Sequence, residues 1–171
     1  MQIRPATVND VPTILALVRG LAEYEKALDQ VEATLETLTD VLFGESPKVF
    51  CEILEADDEV AGLAIWFLNF STWQGKHGIY LEDLYVKPKF RNRGYGKALL
   101  EHLAAKCVEN GWGRFQWSVL NWNQPSIDFY VSQGAFPMDE WTVYRVTGQN
   151  LGLLAQGKGA PDLTNRGQAS E

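Results

Sequence analysis

Between Arg91 and Lys97 the chain reads Arg-Asn-Arg-Gly-Tyr-Gly-Lys. The alternate glycines, Gly94 and Gly96, let backbone N–H groups come close to a ligand. Lys87, Lys89, Arg91, Arg93 and Lys97 surround them, and no carboxylate lies between Leu84 and Leu100. A helix starting here adds the partial positive charge of its first turn. Together these features make an anion site suited to a pyrophosphate. A tight basic turn that binds nothing is the other reading of the same residues. The run lacks the Gly-x-x-x-x-Gly-Lys-Ser/Thr pattern of P-loop NTPases. It also lacks Gly-x-Gly-x-x-Gly with a later acidic residue, so a dinucleotide fold is disfavoured.

The residues just before this loop carry the second piece of chemistry. Glu82 and Asp83 interrupt an otherwise apolar strand. Burying an unpaired carboxylate is costly. Neighbouring strand residues face opposite ways unless a bulge re-aims one of them. Either one carboxylate faces solvent while the other pairs with a lysine or arginine, or both serve a ligand held beside the loop. His77 and His102 are the only histidines. Neither has a cysteine or histidine partner nearby, so no metal is expected. His102 is expected on the surface of a helix.

Elements that position these residues follow from periodicity and punctuation. Gln2 to Ala6 reads as a strand. Asp10 and Pro12 start a helix that runs to about Lys26 on the stripe Val11, Ile14, Leu15, Val18, Leu21 and Ala22. Thr34 to Leu42 is a short helix closed by Gly44. Lys48 to Glu55 and Val60 to Asn69 form a hairpin about Asp57-Asp58. A loop over Gly75 to Gly78 precedes the strand Ile79 to Val86, which Pro88 ends. Lys97 to Val108 is an amphipathic helix on Leu99, Leu100, Leu103, Ala104, Cys107 and Val108. Arg114 to Leu120 is a strand, Pro125 to Val131 a helix closed by Gly134, and Trp141 to Thr147 the last strand. This order predicts an α+β (mixed α/β) fold with helices on a largely antiparallel, twisted sheet. One domain is expected over 1–156, with a flexible tail over 157–171.

Composition bounds the function. The chain has 171 residues and a formal net charge of −7, with 46% hydrophobic and 22% charged residues. The acidic balance argues against nucleic acid, and no apolar run is long enough to span a bilayer. No signal peptide is read at the start, and Cys51 and Cys107 have no motif spacing, so a cytoplasmic protein is expected. Charge is unevenly spread. Twelve acidic residues fall between Glu23 and Glu59, opposed only by Lys26 and Lys48. An acidic half and a basic loop fit a ligand set with both signs.

Several motifs in order then resemble one family. Arg91-x-x-Gly94-x-Gly96 after Tyr85-Val86-Lys87-Pro88 looks like the acetyl-CoA motif of the GCN5-related N-acetyltransferase (GNAT) superfamily. Ile3 to Thr7, Leu21 to Lys26, Tyr80 to Val86, Trp122 to Ser126 and Phe129-Tyr130 resemble the diamine (spermidine/spermine) N-acetyltransferases. Ser71-Thr72-Trp73 and Val119 to Asn123 are more similar to the thialysine-acetylating branch.

The resemblance implies a GNAT-type fold and transfer of acetyl from acetyl-CoA to a primary amine of a small polycationic or amino-acid-like substrate by direct attack. It implies cofactor contacts at Leu84, Tyr85, Val86, Arg91, Asn92, Arg93, Gly94, Tyr95, Gly96, Lys97, Asn123, Gln124, Pro125, Ser126 and Tyr130. Backbone groups at Leu84 and Val86 would hold the acetyl and pantetheine part. The amine would meet Tyr24, Glu25, Trp73, Glu82, Asp83, Gln116, Trp117, Ser118 and Asp139. Glu82 would help remove the ammonium proton, through water or with a raised pKa. Tyr130 would protonate the departing thiolate, a role that a phenol near pKa 10 can fill. A homodimer paired through the late strand is also implied. A peptide or protein N-acetyltransferase and a non-catalytic acyl-CoA-binding regulator are the alternatives.

Overall fold

Strands follow one another across the sheet in the order in which the chain makes them. The computed structural model describes residues 1–159. From residue 160 onward the expected tail lies outside the described residues. Five strands, β1 (Gln2–Pro5), β2 (Val49–Ala56), β3 (Glu59–Ser71), β4 (Lys76–Val86) and β5 (Phe115–Trp117), form one sheet in the order β1-β2-β3-β4-β5. The first four pair antiparallel, and β4 pairs parallel with β5. A parallel step needs a crossover, and α3 (Tyr95–Glu109) supplies it. Helices α1 (Val11–Tyr24) and α2 (Leu35–Phe43) lie between β1 and β2 in the chain. Helix α4 (Gln124–Ser132) follows β5, and α5 (Gly148–Ala155) is the last element among the described residues.

The described residues group into two compact units, Met1–Phe129 and the chain from Tyr130 on. In the first unit, alternate residues of the central strands go to opposite faces. Cys51, Ile53, Leu63, Ile65 and Tyr85 pack against Ile14 and Leu17 of α1 and Leu42 of α2. On the other face, Leu99, Leu100, Leu103 and Cys107 of α3 are buried. The stripe expected for this helix is narrower than its sequence implies, because Ala104 and Val108 are exposed. Arg4 ties β1 to the start of α1. It donates to Asp10 at 2.8 and 2.9 Å and to Glu55 at 2.7 Å. The Arg4 guanidinium holds the Asp10 carboxyl well below the usual carboxylate range.

Four expectations need correction. No strand occurs over Trp141 to Thr147 among the described residues, where Val143 and Tyr144 are largely exposed. Residue alternation alone does not make a strand without a ladder partner. A helix, α5, follows instead, masked in the sequence by Gly148 and Gly152. The strand expected over Arg114 to Leu120 shrinks to Phe115–Trp117, and β4 starts three residues earlier than expected, at Lys76. His102 is half-buried rather than on the surface. Its Nε2 lies 3.4 Å from the buried carboxylate of Glu52, which also takes Lys106 at 3.3 Å.

Candidate active site

β4 carries the site because it is paired differently along its two edges. Toward β3 its ladder runs from Lys76 to Val86. Toward β5 it covers only Ile79, Leu81 and the residue between them, opposite Phe115–Trp117. Beyond Leu81, no strand among the described residues lies on that side of β4. Leu84 and Val86 therefore sit on a strand edge where backbone groups can serve a ligand containing amides. Gly62 of β3 makes the opposite edge possible. A Cβ there would stand 2.5 Å from the Tyr85 carbonyl oxygen.

Glu82 is the extra residue of a β-bulge. Asp83 pairs with Ile65 and Leu81 with Trp66, leaving Glu82 with no opposite partner. A bulge re-aims side chains, so two consecutive carboxylates need not face opposite sides of the sheet. Glu82 is exposed and Asp83 half-buried. Burial pushes the Asp83 carboxyl up to about 6, and the charges of Glu82 and Glu25 add to the rise. Burial also raises Glu25, the residue just after α1. Three carboxylates of one region thus share a field that favours an arriving cation.

The loop after β4 turns through left-handed backbone into the start of α3. Asn92 and Gly94 both take positive φ, at 61° and 80°. Gly94 is the N-cap of α3, and an added Cβ there would touch no protein atom, so the backbone conformation alone demands glycine. At Gly96 a Cβ would meet Phe129 at 3.7 Å, an ordinary contact. The first N–H groups of a helix have no intrahelical partner and point out of its start. Arg91 behaves differently from its neighbours. Its Nε donates to the Val86 carbonyl at 2.9 Å, and its guanidinium lies 4.9 Å from the Tyr24 ring centre and 5.6 Å from that of Tyr85. The Tyr85 side chain is in the core and its carbonyl faces Gly62 of β3, so Tyr85, unlike Leu84 and Val86, is not brought to the free β4 edge.

Tyr24 links this corner to the start of α4. Its hydroxyl donates to Asn123 Oδ1 at 3.1 Å, and its ring meets Trp122 at 6.1 Å. Asn123 is buried, and its carbonyl accepts from Ser126 at 3.1 Å and Ile127 at 3.0 Å, so it closes the first turn of α4. Gln124 and Pro125 are exposed on that turn, and Gln124 donates to Asp128 at 2.7 Å. Tyr130, half-buried, sits near the C-terminal end of α4.

Other expected amine contacts divide. Trp117 pairs with Leu81 immediately before the bulge, and Gln116 pairs with Tyr80. Ser118 shares a 2.8 Å hydrogen bond with the Tyr80 hydroxyl. Trp73 is not brought to the carboxylates. It is 90% exposed in the turn between β3 and β4, at the opposite end of β4 from Asp83. At about 3.3 Å per residue that is roughly 20 Å along the strand. Asp139 is exposed in the second unit. Among the described residues no group of three or more His, Cys, Asp and Glu side chains could hold a metal ion. No helix among them is long and apolar enough to cross a membrane.

Sequence reasoning missed the acidic partners of the loop. Arg93 donates to Asp57 at 2.9 Å, and Lys89 to Glu59 at 2.6 Å. These partners lie 36 and 30 residues away in the chain, on the β2–β3 hairpin. Only the β3–β4 register, Gly62 opposite Val86, signals their closeness.

Comparison with known proteins identifies the family. Residues 16–135 match the model of the "Acetyltransferase (GNAT) family". The chain is 38% identical over 166 residues to thialysine N-epsilon-acetyltransferase of Bos taurus, covering 91% of this chain and 97% of that one. It is 30% identical to an L-ornithine N5-acetyltransferase of Arabidopsis thaliana, covering 88% and 86%. Among solved structures, an integron cassette protein from the mobile metagenome of V. cholerae superposes with a TM-score of 0.76 at 25% identity, covering 91% and 97%. The α+β sheet, the split edge of β4 and these likenesses have one meaning: the chain belongs to the acetyltransferase (GNAT) family and is an N-acetyltransferase.

Proposed function

We propose that this enzyme acetylates a primary amine of a small cationic substrate, of the thialysine or diamine and polyamine type, using acetyl-CoA. The carrying observation is the bulge that sets Glu82 beside Asp83, within the field of Glu25, at the point where β4 loses its β5 neighbour. The cofactor supplies an activated acetyl carbon and a thiol leaving group. Asn92 to Lys97 and the start of α3 fit its pyrophosphate, through glycine backbone, helix N–H groups and cations. Leu84 and Val86 offer backbone groups to the pantetheine arm, and one N–H there polarises the thioester carbonyl. Asn123 to Ser126 line the cofactor from α4.

Glu25, Glu82 and Asp83 hold the ammonium. An ammonium is not a nucleophile, so a proton must leave before attack. Asp83, pushed up to about 6, is a better proton acceptor than an ordinary carboxylate and assists Glu82. Tyr130 returns a proton to the sulfur. The nitrogen loses two protons on going from ammonium to amide. One passes through the carboxylates to solvent before attack. The second leaves after attack and offsets the proton that Tyr130 gives the thiolate, so one proton is released per turnover. A 38% identity to a thialysine enzyme favours an amino-acid head group over a plain diamine.

The enzyme works in the cytoplasm, where the free, buried thiols of Cys51 and Cys107 stay reduced. It is a homodimer. Exposed Trp141, Val143 and Tyr144 offer apolar surface to a second copy. An assay of thiol release with thialysine, lysine, ornithine, putrescine, spermidine and a lysine peptide tests the substrate class. Turnover of the free amines is expected. Turnover of the peptide alone would replace this reading with a protein acetyltransferase. Binding of acetyl-CoA without turnover of any amine would make the chain an acyl-CoA-binding regulator.

A further inference from the structure

The five cations around the glycine loop are not a bare positive patch. Lys87 and Lys89 face Glu59 at 3.9 and 2.6 Å, and Arg93 faces Asp57 at 2.9 Å. Lys97 pairs with Glu101 on its own helix. Arg91 is engaged by aromatic rings and the Val86 carbonyl. Two of these carboxylates come from the β2–β3 hairpin, which the register brings beside the loop. The Lys87 N–H donates to the Ala61 carbonyl at 2.9 Å, and Gly62 lies opposite Val86. The turn that presents them is unusual. Asp57 and Asp58 both take left-handed φ, at 54° and 60°, where glycine or asparagine is the easier residue. An acidic pair thus stands at a place where the backbone alone would prefer something else.

We propose that Asp57 and Glu59 moderate the cofactor loop: they pair with Arg93, Lys87 and Lys89 and cancel part of their charge, which weakens the hold on the cofactor phosphates. The inference rests on the reading of this loop as the pyrophosphate site. The direction follows from charge. A carboxylate left within reach of a bound polyanion repels it, and each cation must exchange a carboxylate for a phosphate. Replacing Asp57 by asparagine removes the charge while keeping a residue that accepts positive φ, so the turn is retained.

The test is calorimetric titration of CoA into the full-length enzyme, the Asp57→Asn and Glu59→Gln single variants and their double variant, at low and high salt. Thermal melts check that each variant is folded. Glu36→Gln on α2 removes the same charge elsewhere. We expect the double variant to bind CoA roughly fivefold more tightly at low ionic strength, with the gain shrinking below about twofold in molar salt. Each single variant shows part of that gain, and Glu36→Gln shows none. Unchanged or weaker CoA binding in the folded variants overturns the inference and leaves the loop assignment intact. Equal tightening by Glu36→Gln overturns it in favour of net charge. Failure of the unmodified enzyme to bind CoA overturns the loop assignment and this inference together.

Discussion

Arg91 lays its guanidinium 4.9 Å from the centre of the Tyr24 ring, so the last residue of α1 and the first residue of the glycine loop are in contact. Tyr24 precedes Glu25 of the carboxylate group, and its hydroxyl reaches Asn123 at the start of α4. Tyr24 therefore links the loop after β4 to the start of α4, and under the proposed function it stands between the amine and the cofactor. Replacing Tyr24 by leucine removes both the stack and the hydrogen bond. An exposed to half-buried cation–π contact contributes about 0.5–2 kcal/mol. Tyr24→Leu is expected to raise the acetyl-CoA dissociation constant about tenfold, and Tyr24→Phe by less, because the stack survives. Isothermal titration measures both.

Two glycines of the site separate binding from folding. Gly94 needs its left-handed conformation but has open space around it, whereas a Cβ at Gly62 would overlap the Tyr85 carbonyl. Left-handed backbone costs a residue with a Cβ roughly 1–2 kcal/mol. Gly94→Ala is expected to fold with a modestly lower Tm and weakened acetyl-CoA binding. Gly62→Ala, in the middle of the β3–β4 ladder, is expected to lower Tm by far more or to abolish folding. Thermal melts and cofactor titration of both variants check the contrast.

The Asp83 carboxyl gives the enzyme a pH signature. Its pKa is higher folded, about 6, than in an unfolded chain, near 3.9. Its proton therefore contributes stability that is complete below the unfolded value and lost as pH rises through about 6. Asp83→Asn should leave stability at pH 3.5 nearly unchanged and raise it at pH 7.5, by roughly 3 kcal/mol at most. Denaturant melts at the two pH values test this. The acidic limb of the kcat/KM profile should lie near the same pH and be lost or displaced in the variant.

Tyr130 is assigned to proton return. Tyr130→Phe is expected to bind acetyl-CoA normally and to lose about a hundredfold in kcat, the size typical of a missing general acid. Undiminished turnover would remove the assignment and leave Tyr130 a packing residue of α4.

Much of this was legible in the sequence, and the gaps have physical causes. The loop from Arg91 to Lys97 announces itself because glycine and lysine act locally, through backbone freedom and charge. The α1 stripe and the core of α3 follow from helical spacing, with Ile14, Leu99 and Leu103 fully buried. The bulge at Glu82 was foreseeable only as a possibility, because pairing with β3 decides which residue is extra. Asp57–Arg93 and Glu52–His102 depend on strand register, and nothing in a linear reading places those residues together. Trp141 to Thr147 shows the reverse failure: apolar alternation promised a strand, but a strand also needs a neighbour.

The most direct measurement is steady-state kinetics of Glu82→Gln and Asp83→Asn with both substrates varied. If the bulge holds the ammonium, each change raises the KM of the amine at least about tenfold, as for a lost charge-assisted contact, and leaves the KM of acetyl-CoA near its original value. Amine KM values that stay unchanged in both folded variants would contradict the account.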